Sequence, residues 1–197
     1  MLFRSVLERM KRADNYTLDL LIEGCINNEH AAQKVIYQRY AAKMFAVCLR
    51  YGKTKMVAEE LLQTGFVKVF RSIAHFRKEG SFEGWIRRVM VNTAIEYYRQ
   101  AAKIQETKEL TPDLDPEGNY GSGLDNLALE DLMALIAALP DGYRMVFNMY
   151  AIEGYSHKEI AEKLGITEGG SKSQLSRARI VLQNAINKRE EVAYARF

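Results

Sequence analysis

The chain has 197 residues, a net charge of +3 and an ordinary globular composition, of which 48% is hydrophobic and 27% charged. This length suits one large domain or two small ones, and the slight basic excess permits a nucleic-acid partner without requiring one, because basic residues must be clustered to act. No apolar run approaches the ~20 residues of a membrane helix, and no secretory signal is recognisable, so we expect a cytoplasmic protein.

The residues that most often carry catalysis or metals are few. The two cysteines, Cys25 and Cys48, form no CxxC pair, and we expect them to be reduced thiols in the core. His30, His75 and His157 form no metal-ligand pattern, and no phosphate loop or nucleophile motif is present. We therefore predict no catalytic residue, no metal, no cofactor and no small-molecule substrate, which makes an enzyme the weak alternative.

The N-terminal half reads as four helices, because apolar residues recur at 3.6-residue spacing and no proline occurs from about Thr17 to Lys103. Thr54 and Ser81 are predicted N-caps of the third and fourth helices. The predicted inward stripes are Leu18, Leu21, Ile22, Cys25 and Ile26; Val35, Ile36, Tyr40, Met44 and Cys48; Leu62, Phe66, Val69 and Ile73; and Phe82, Ile86, Val89 and Met90. No long stretch alternates with period two, so we predict no sheet.

Residues 105–125, QETKELTPDLDPEGNYGSGLD, interrupt the helical pattern. The segment has two prolines, three glycines and six acidic residues against one lysine, a composition typical of a mobile acidic linker. We therefore predict an all-α protein of two small helical domains, over residues 17–104 and 126–190. A short extension, 1–16, precedes them and a tail, 191–197, follows.

The second domain is predicted to begin with two helices. DNLALEDLMALIAALP is amphipathic and stops at Pro140, and DGYRMVFNMYAIEG stops at Gly154. The stretch that follows, GYSHKEIAEKLGITEGGSKSQLSRARIVL, looks like two helices joined by a tight turn. Ser156 and Glu159 fit a capping box, Gly165 sits where a helix end favours positive φ, and Thr167 can cap the next helix. The pattern predicts a helix-turn-helix.

The last helix has two different faces. Ser171, Leu175, Ala178, Leu182 and Ala185 are predicted to be buried. Lys172, Ser173, Ser176, Arg177 and Ile180 share the outer side, with Arg179 on its flank. Small polar residues between cations suit a helix in the major groove of DNA. A solvated amphipathic helix in an ordinary bundle is the alternative.

The fourth helix, SFEGWIRRVMVNTAIEYYRQAAK, combines aromatic residues with basic ones. Arg88, Asn92, Glu96, Arg99 and Lys103 line up along one face, with Arg87 nearby, and Trp85 lies close to the helix start. Such a mixture suits single-stranded DNA, where bases stack and the backbone needs cations. A core tryptophan beside a solvated basic stripe explains the pattern equally well.

Taken together, these segments resemble the sigma-70 family of bacterial RNA polymerase initiation factors, in its small two-domain extracytoplasmic-function group. VAEELLQTGFVKVFRSIAHF resembles the family's core-polymerase-binding helix, and FEGWIRRVMVNTAIEYYRQ resembles its −10 element helix. LPDGYRMVFNMYAIEGYSHKEIAEKLGITEGGSKSQLSRAR resembles its −35 element domain. The resemblance runs from about residue 17 to residue 188.

The resemblance implies roles for residues that match the family's motifs. For the −10 element, where the family captures a flipped base in the loop before the fourth helix, these are Phe76, Arg77, Ser81, Phe82, Trp85, Arg88, Asn92 and Arg99. For the −35 element they are Lys172, Ser173, Ser176, Arg177 and Arg179. For docking on the polymerase they are Glu59, Glu60, Gln63, Phe66 and Lys68.

Two residues depart from the family pattern. The family usually has an acidic residue after the glutamine of the third helix, whereas this chain has Gln63-Thr64-Gly65-Phe66, and a glycine inside a helix costs about 0.5–1 kcal/mol relative to alanine. Gly170, next to Gly169, stands where the family tends to have threonine, so the first turn of the recognition helix is expected to be looser. The acidic linker could mimic the charge of RNA near the polymerase's exit path, or serve only as a tether.

The leading hypothesis is therefore a promoter-specificity subunit with core RNA polymerase and promoter DNA as partners. Many relatives are held inactive by an anti-sigma factor, and nothing in this sequence identifies one. A stand-alone helix-turn-helix repressor or activator is the alternative, although it leaves the aromatic and basic fourth helix unexplained. An all-helical interaction module is the residual possibility.

Overall fold

The computed structural model describes residues 17–106 and 127–194, and these residues form eight α-helices and no strand. In chain order the helices are α1 (Leu18–Ile26), α2 (His30–Tyr51), α3 (Lys55–Ser72), α4 (Phe82–Glu106), α5 (Leu127–Ala137), α6 (Asp141–Phe147), α7 (His157–Leu164) and α8 (Glu168–Tyr194). A 3₁₀ turn, Ile73–His75, follows α3, and a π-helical turn, Asn148–Ile152, follows α6. The all-α prediction is confirmed.

The N-terminal domain is built from α1–α4 around one apolar core, with α2, α3 and α4 packed on one another and α1 packed on α2. The predicted inward faces are buried at most positions, among them Ile36, Val69 and Ile86, each with no exposed surface. Ile26 was predicted to face inward, but its side chain is 47% exposed because α1 ends there. Burying these stripes is the main favourable contribution to folding.

The predicted N-caps of α3 and α4 are confirmed. The Thr54 hydroxyl accepts a hydrogen bond from the Val57 backbone N–H at 3.3 Å, and the Ser81 hydroxyl accepts one from Gly84 at 3.0 Å. Each cap satisfies one of the backbone donors that a helix start leaves free.

Both cysteines are free thiols in the core of this domain, as predicted. Burial raises the pKa of Cys25 to about 11 and that of Cys48 to about 12. Because the thiolate is the reactive form of cysteine, both thiols are inert at neutral pH.

The structure shows why position 65 is a glycine, which the sequence did not reveal. A methyl group at this position of α3 would overlap the side chain of Met90 on α4, and Met90 is itself only 1% exposed. The glycine therefore allows α3 and α4 to approach closely, which offsets its cost in helix propensity.

The C-terminal domain packs α6 and α7 against the long helix α8. Its inner side chains are Ile136, Leu139, Met145, Ile160, Leu164, Leu175, Ala178 and Leu182. The helix that was predicted to continue to Gly154 changes to π-helical geometry at Asn148 and ends at Ile152. Asn148 and Met149 are buried in this turn, and Gly154 follows it with a φ of 77°.

The two domains pack together through a buried polar contact at the end of α2. The Arg144 guanidinium, 4% exposed, donates to the backbone oxygen of Tyr51 at 3.1 Å and to that of Leu139 at 2.8 Å. The Asn148 amide donates to the backbone oxygen of Arg50 at 2.7 Å. These two side chains therefore satisfy carbonyl groups that the last turn of α2 leaves without a helical partner.

Glu153 completes this interface. One carboxylate oxygen accepts a hydrogen bond from Arg50 at 3.0 Å, and the two oxygens together accept a bidentate contact from Arg87 on α4 at 2.9 and 3.0 Å. The side chains of Glu153 and Arg50 are 9% and 10% exposed. The side chain of Glu153 thus bridges two cations of the N-terminal domain.

Helices cross two of the predicted domain borders, because α4 continues to Glu106 and α8 continues to Tyr194. The predicted N-terminal extension, the linker from residue 107 and the last three residues of the tail lie outside the described residues. Within the described ranges, no helix is long and apolar enough to cross a membrane.

Candidate nucleic-acid interface

The turn between α7 and α8 has the geometry that the sequence predicts for a helix-turn-helix. The Glu159 carboxylate accepts from the Ser156 backbone N–H at 2.8 Å, and the Ser156 hydroxyl accepts from the Glu159 N–H at 3.3 Å, which completes the capping box. Gly165 ends α7 with a φ of 71°. Thr167 caps α8 by accepting from Gly170 at 2.9 Å. The local sequence therefore fixes the angle at which α8 leaves the turn.

The α8 helix presents its predicted outer face to solvent. Its buried side is made of Ser171, Leu175, Ala178 and Leu182. The proposed DNA-facing residues, all exposed, are Lys172, Ser173, Ser176, Arg177 and Arg179. Ile180, on the same side, is 55% exposed. The structure therefore brings the predicted −35 residues together on one open surface.

All three cations of this face have partners within the domain, and the Arg177 guanidinium donates to the Tyr143 hydroxyl at 3.5 Å. The Lys172 ammonium lies 2.7 Å from the Glu168 carboxylate, one turn earlier on α8, and this pair lowers the pKa of Glu168. The Arg179 guanidinium lies over the ring of Tyr150, 5.9 Å from its centroid. These three contacts are at the surface, so none of them withdraws its cation from a nucleic acid.

The α4 helix carries the predicted −10 residues along one side. Arg88 and Arg99 are exposed, and Trp85 and Asn92 are half-buried. The Trp85 ring stacks on Phe82 with centroids 5.6 Å apart and an interplanar angle of 18°, and it also contacts Phe76 at 5.6 Å. Trp85 therefore belongs partly to the core and still shows part of its ring to solvent.

A cavity of about 320 Å³ opens beside the start of α4. Of the four candidates for the base pocket, Phe76, Ser81 and Phe82 line this cavity, whereas Arg77 does not. The other lining residues are Leu18, Asp19, Ile22, Tyr40, Lys78, Gly80 and Glu83. Phe82 is 2% exposed, so it forms part of the floor rather than a projecting contact. The space is large enough for a single nucleobase.

Sequence reasoning missed the contribution of α1 to this cavity. Asp19 reaches the loop before α4, where its carboxylate lies 2.7 Å from the Lys78 ammonium. No local pattern marks Leu18, Asp19 or Ile22 as site residues, because they meet the loop only through the packing of α1 against the 3₁₀ turn.

The predicted polymerase-binding residues on α3 divide into two groups. Glu59, Glu60 and Gln63 are exposed, and Lys68 is held by Glu96 of α4 at 2.6 Å. Phe66, which was predicted to dock on the polymerase, is only 3% exposed.

Phe66 lies in the core instead, because its ring packs against Tyr37 at 4.7 Å and Phe70 at 5.9 Å. The exposed apolar side chains near it are Tyr37 and Val67, which are 39% and 48% exposed. Phe66 therefore supports this surface from behind and does not form part of it.

Among the described residues, no group of three or more His, Cys, Asp or Glu side chains is placed to hold a metal ion.

Comparison with known proteins assigns both halves of the chain. The family described as "Sigma-70 region 2" matches residues 36–104, and the family described as "Sigma-70, region 4" matches residues 129–182. The stand-alone repressor or activator explains only the second match, so the first counts against it.

Three curated relatives agree with this assignment. RNA polymerase sigma factor SigZ of Bacillus subtilis is 32% identical over 62% of this chain and 69% of its own length. The ECF RNA polymerase sigma-E factor of Haemophilus influenzae is 25% identical over 88% of this chain and 97% of its own length. ECF RNA polymerase sigma factor SigE of Mycolicibacterium smegmatis is 29% identical over 78% of this chain, which spans 61% of that relative's length. The chain therefore belongs to the sigma-70 family of RNA polymerase sigma factors, in its extracytoplasmic-function group.

Proposed function

We propose that this chain is a promoter-specificity subunit that directs core RNA polymerase to promoters through two separate DNA-binding surfaces. The observation that carries the proposal is that two cation-bearing helix faces lie on different domains, one on α8 within a helix-turn-helix and one on α4 beside a base-sized cavity. A duplex reader combined with a single-strand pocket fits an initiation factor, whereas a repressor needs only the duplex reader.

The outer face of α8 is proposed to lie in the major groove of the −35 element. Lys172 and Arg177 can reach phosphates or the edges of guanine, and Ser173 and Ser176 are small enough to allow close approach. Glu168, the carboxylate beside Lys172, orients that ammonium toward one side of the helix. Phosphate contacts position α8, and base-edge contacts supply the sequence preference.

The α4 surface is proposed to bind the unpaired strand of the −10 element. Arg88 and Arg99 hold phosphates, Asn92 reads a base edge, and the exposed part of Trp85 offers a stacking surface. A base flipped from the strand enters the cavity lined by Phe76 and Ser81. Binding energy gained on the separated strands offsets the cost of unpairing the duplex.

The exposed side of α3 is proposed to dock on the polymerase through Glu59, Glu60, Gln63 and Lys68. In this role the chain performs no covalent chemistry, which belongs to the polymerase, and it acts in the cytoplasm beside that enzyme. Two further roles remain predictions: regulation by an anti-sigma partner, and mimicry of RNA charge by the acidic linker. The linker's role is tested by neutralising the six acidic residues of 105–125 and counting abortive transcripts. An unchanged proportion of abortive transcripts would contradict it.

The residue assignments are tested by binding of the reconstituted holoenzyme to two probes, a −35 duplex and a −10 fork with an unpaired strand. Lys172→Ala or Arg177→Ala is expected to weaken binding to the −35 probe by about 1–3 kcal/mol if the lost contact reads a base edge. Neither substitution is expected to change binding to the −10 probe. Asn92→Ala is expected to do the reverse.

Lys34→Ala provides the matched control, because it removes the same charge from an exposed position of α2 outside both surfaces. The assignment is wrong if Lys172→Ala and Lys34→Ala weaken both probes equally, since the effect would then come from net charge alone. It is also wrong if variant and wild-type proteins discriminate equally between intact and altered −35 sequences.

A further inference from the structure

A chain of side-chain contacts joins the π-helical turn to both helices of the helix-turn-helix. The Tyr150 ring, in that turn, stacks on His157 at the start of α7, with centroids 4.5 Å apart and an interplanar angle of 20°. The Nδ1 atom of His157 lies 2.9 Å from the hydroxyl of Ser171 on α8. The guanidinium of Arg179, two turns further along α8, lies over the same tyrosine ring.

Packing in the apolar core does not account for the position of the Tyr150 side chain. Its side chain is 36% exposed, and it belongs to neither buried apolar cluster of the described residues. Its ring contacts are instead with the imidazole of His157 and the guanidinium of Arg179. The face of an aromatic ring attracts a guanidinium, so the contact restricts the positions that the long Arg179 side chain adopts.

Arg179 lies on the same edge of α8 as Lys172. Seven residues separate it from Lys172, which corresponds to about two turns and about 10 Å along one side of the helix. Lys172 is held by Glu168 and Arg179 by Tyr150, so one edge of α8 carries two cations with fixed neighbours. A helix in the major groove faces the DNA backbone along its edges.

We propose that Tyr150 is a positioning residue that holds the Arg179 guanidinium in the orientation in which it binds a phosphate of the −35 duplex. The proposal rests on the function proposed above, in which α8 enters the major groove. An arginine that is already oriented loses less side-chain entropy on binding than a free one, so the tyrosine contributes to DNA affinity without touching DNA.

The test measures the affinity of the holoenzyme for a promoter fragment over a range of salt concentrations. Tyr150→Phe keeps the ring and is expected to bind like wild type. Tyr150→Leu keeps apolar bulk but removes the aromatic face, and it is expected to bind about two- to five-fold more weakly. Arg179→Ala removes one phosphate contact, so the slope of log K against log salt is expected to fall by about one.

The decisive comparison is Tyr150→Leu in the Arg179→Ala background. If Tyr150 acts through Arg179, the leucine variant causes no further loss there. A loss of the same size in both backgrounds would mean that Tyr150 supports the domain in some other way and would overturn the proposal. Thermal unfolding of each variant reports any change in the domain itself.

Lys172→Ala separates failure of this proposal from failure of the −35 assignment. If Lys172→Ala weakens binding and Tyr150→Leu does not, the positioning role is wrong and the DNA surface stands. If Lys172→Ala, Arg177→Ala and Arg179→Ala all leave affinity unchanged, the −35 surface is wrong and the role of Tyr150 falls with it.

Discussion

Glu159 shows how single side chains set the geometry of the DNA-binding turn. Its carboxylate accepts hydrogen bonds from both the backbone and the hydroxyl of Ser156, and these two contacts lower its pKa from the ordinary value of 4.5, the backbone contact having the larger effect. The local sequence predicted this cap, together with Gly165 and Thr167, because capping depends on residues within four positions of one another.

The lowered pKa of Glu159 predicts an acid-sensitive start of α7. A carboxylate whose pKa is lower in the folded protein stabilises it above the unfolded pKa and loses that effect as pH falls through the folded pKa. Glu159→Gln is therefore expected to lower the melting temperature near neutral pH, and the difference from wild type is expected to be smaller at a pH well below 4.5, where the carboxylate becomes protonated. A difference of the same size at both pH values would contradict the prediction.

A second prediction concerns Gly169 and Gly170 at the start of α8 and the stability of the folded protein. Nothing lies within 4 Å of a methyl group added at Gly169, whereas one added at Gly170 would lie 3.1 Å from the hydroxyl of Thr167 that caps the helix. Gly169→Ala is expected to raise the free energy of unfolding by about 0.5–1 kcal/mol, and Gly170→Ala is expected to gain less. Chemical denaturation measures both variants, and a larger gain at Gly170 would show the prediction to be wrong.

At the scale of helices, the periodicity of the sequence predicts the buried faces but misses the close helix packing and the π-helical turn. The apolar stripes predicted the buried faces of α2, α3, α4 and α8, because helical spacing alone decides which side chains share a face. The close approach of α3 and α4 at Gly65 was missed, since it depends on Met90, a residue of another helix. The π-helical turn was also missed, because its residues are compatible with an ordinary helix.

Gly65→Ala tests the close approach of α3 and α4. Its gain in helix propensity is about 0.5–1 kcal/mol, but the added methyl group would overlap Met90 in a filled core, and overpacking of this kind costs about 1–3 kcal/mol. We expect a net loss of stability in chemical denaturation. The loss is expected to shrink in a Met90→Val background, which removes the overlapping atoms, and equal losses in both backgrounds would contradict this explanation.

The sequence predicted which helix faces form the candidate binding surfaces, but it predicted the lining of the cavity less completely. The exposed faces of α8 and α4 were predicted from charge and spacing. The wall that α1 contributes to the cavity through Asp19 could not be, because its neighbours are distant in sequence. Helical spacing correctly predicted that Phe66 lies in the core, whereas the family resemblance assigned it to a docking surface.

The packing of the two domains is the main feature of the whole molecule that the sequence did not predict. The contact is formed by residues of both domains, none of which the sequence pattern assigned to it: Arg50, Arg87, Arg144, Asn148 and Glu153. Several polar atoms of this contact, the Arg50 Nε, the Tyr51 hydroxyl and the Asn148 side-chain oxygen, are buried without a hydrogen-bond partner. Because these buried atoms lack partners, the stability of the interface depends strongly on the hydrogen bonds and ion pairs that it does form.

Glu153→Gln is expected to destabilise the folded chain by about 3–5 kcal/mol, because it leaves the buried Arg50 guanidinium without its counter-charge. Exposed Glu162→Gln, on α7, is the control for removing one negative charge and is expected to change stability by less than about 0.5 kcal/mol. Urea denaturation of both variants measures the difference. Equal effects would show that the contact of Glu153 with Arg50 and Arg87 does not hold the domains together.

Run-off transcription with purified core polymerase, with and without this protein, on pooled fragments of genomic DNA tests the central claim most directly. We predict transcripts that appear only when both components are present and that start at sites sharing two spaced sequence elements. The absence of new transcripts, together with tight duplex binding by the protein alone, would contradict the assignment as a promoter-specificity subunit.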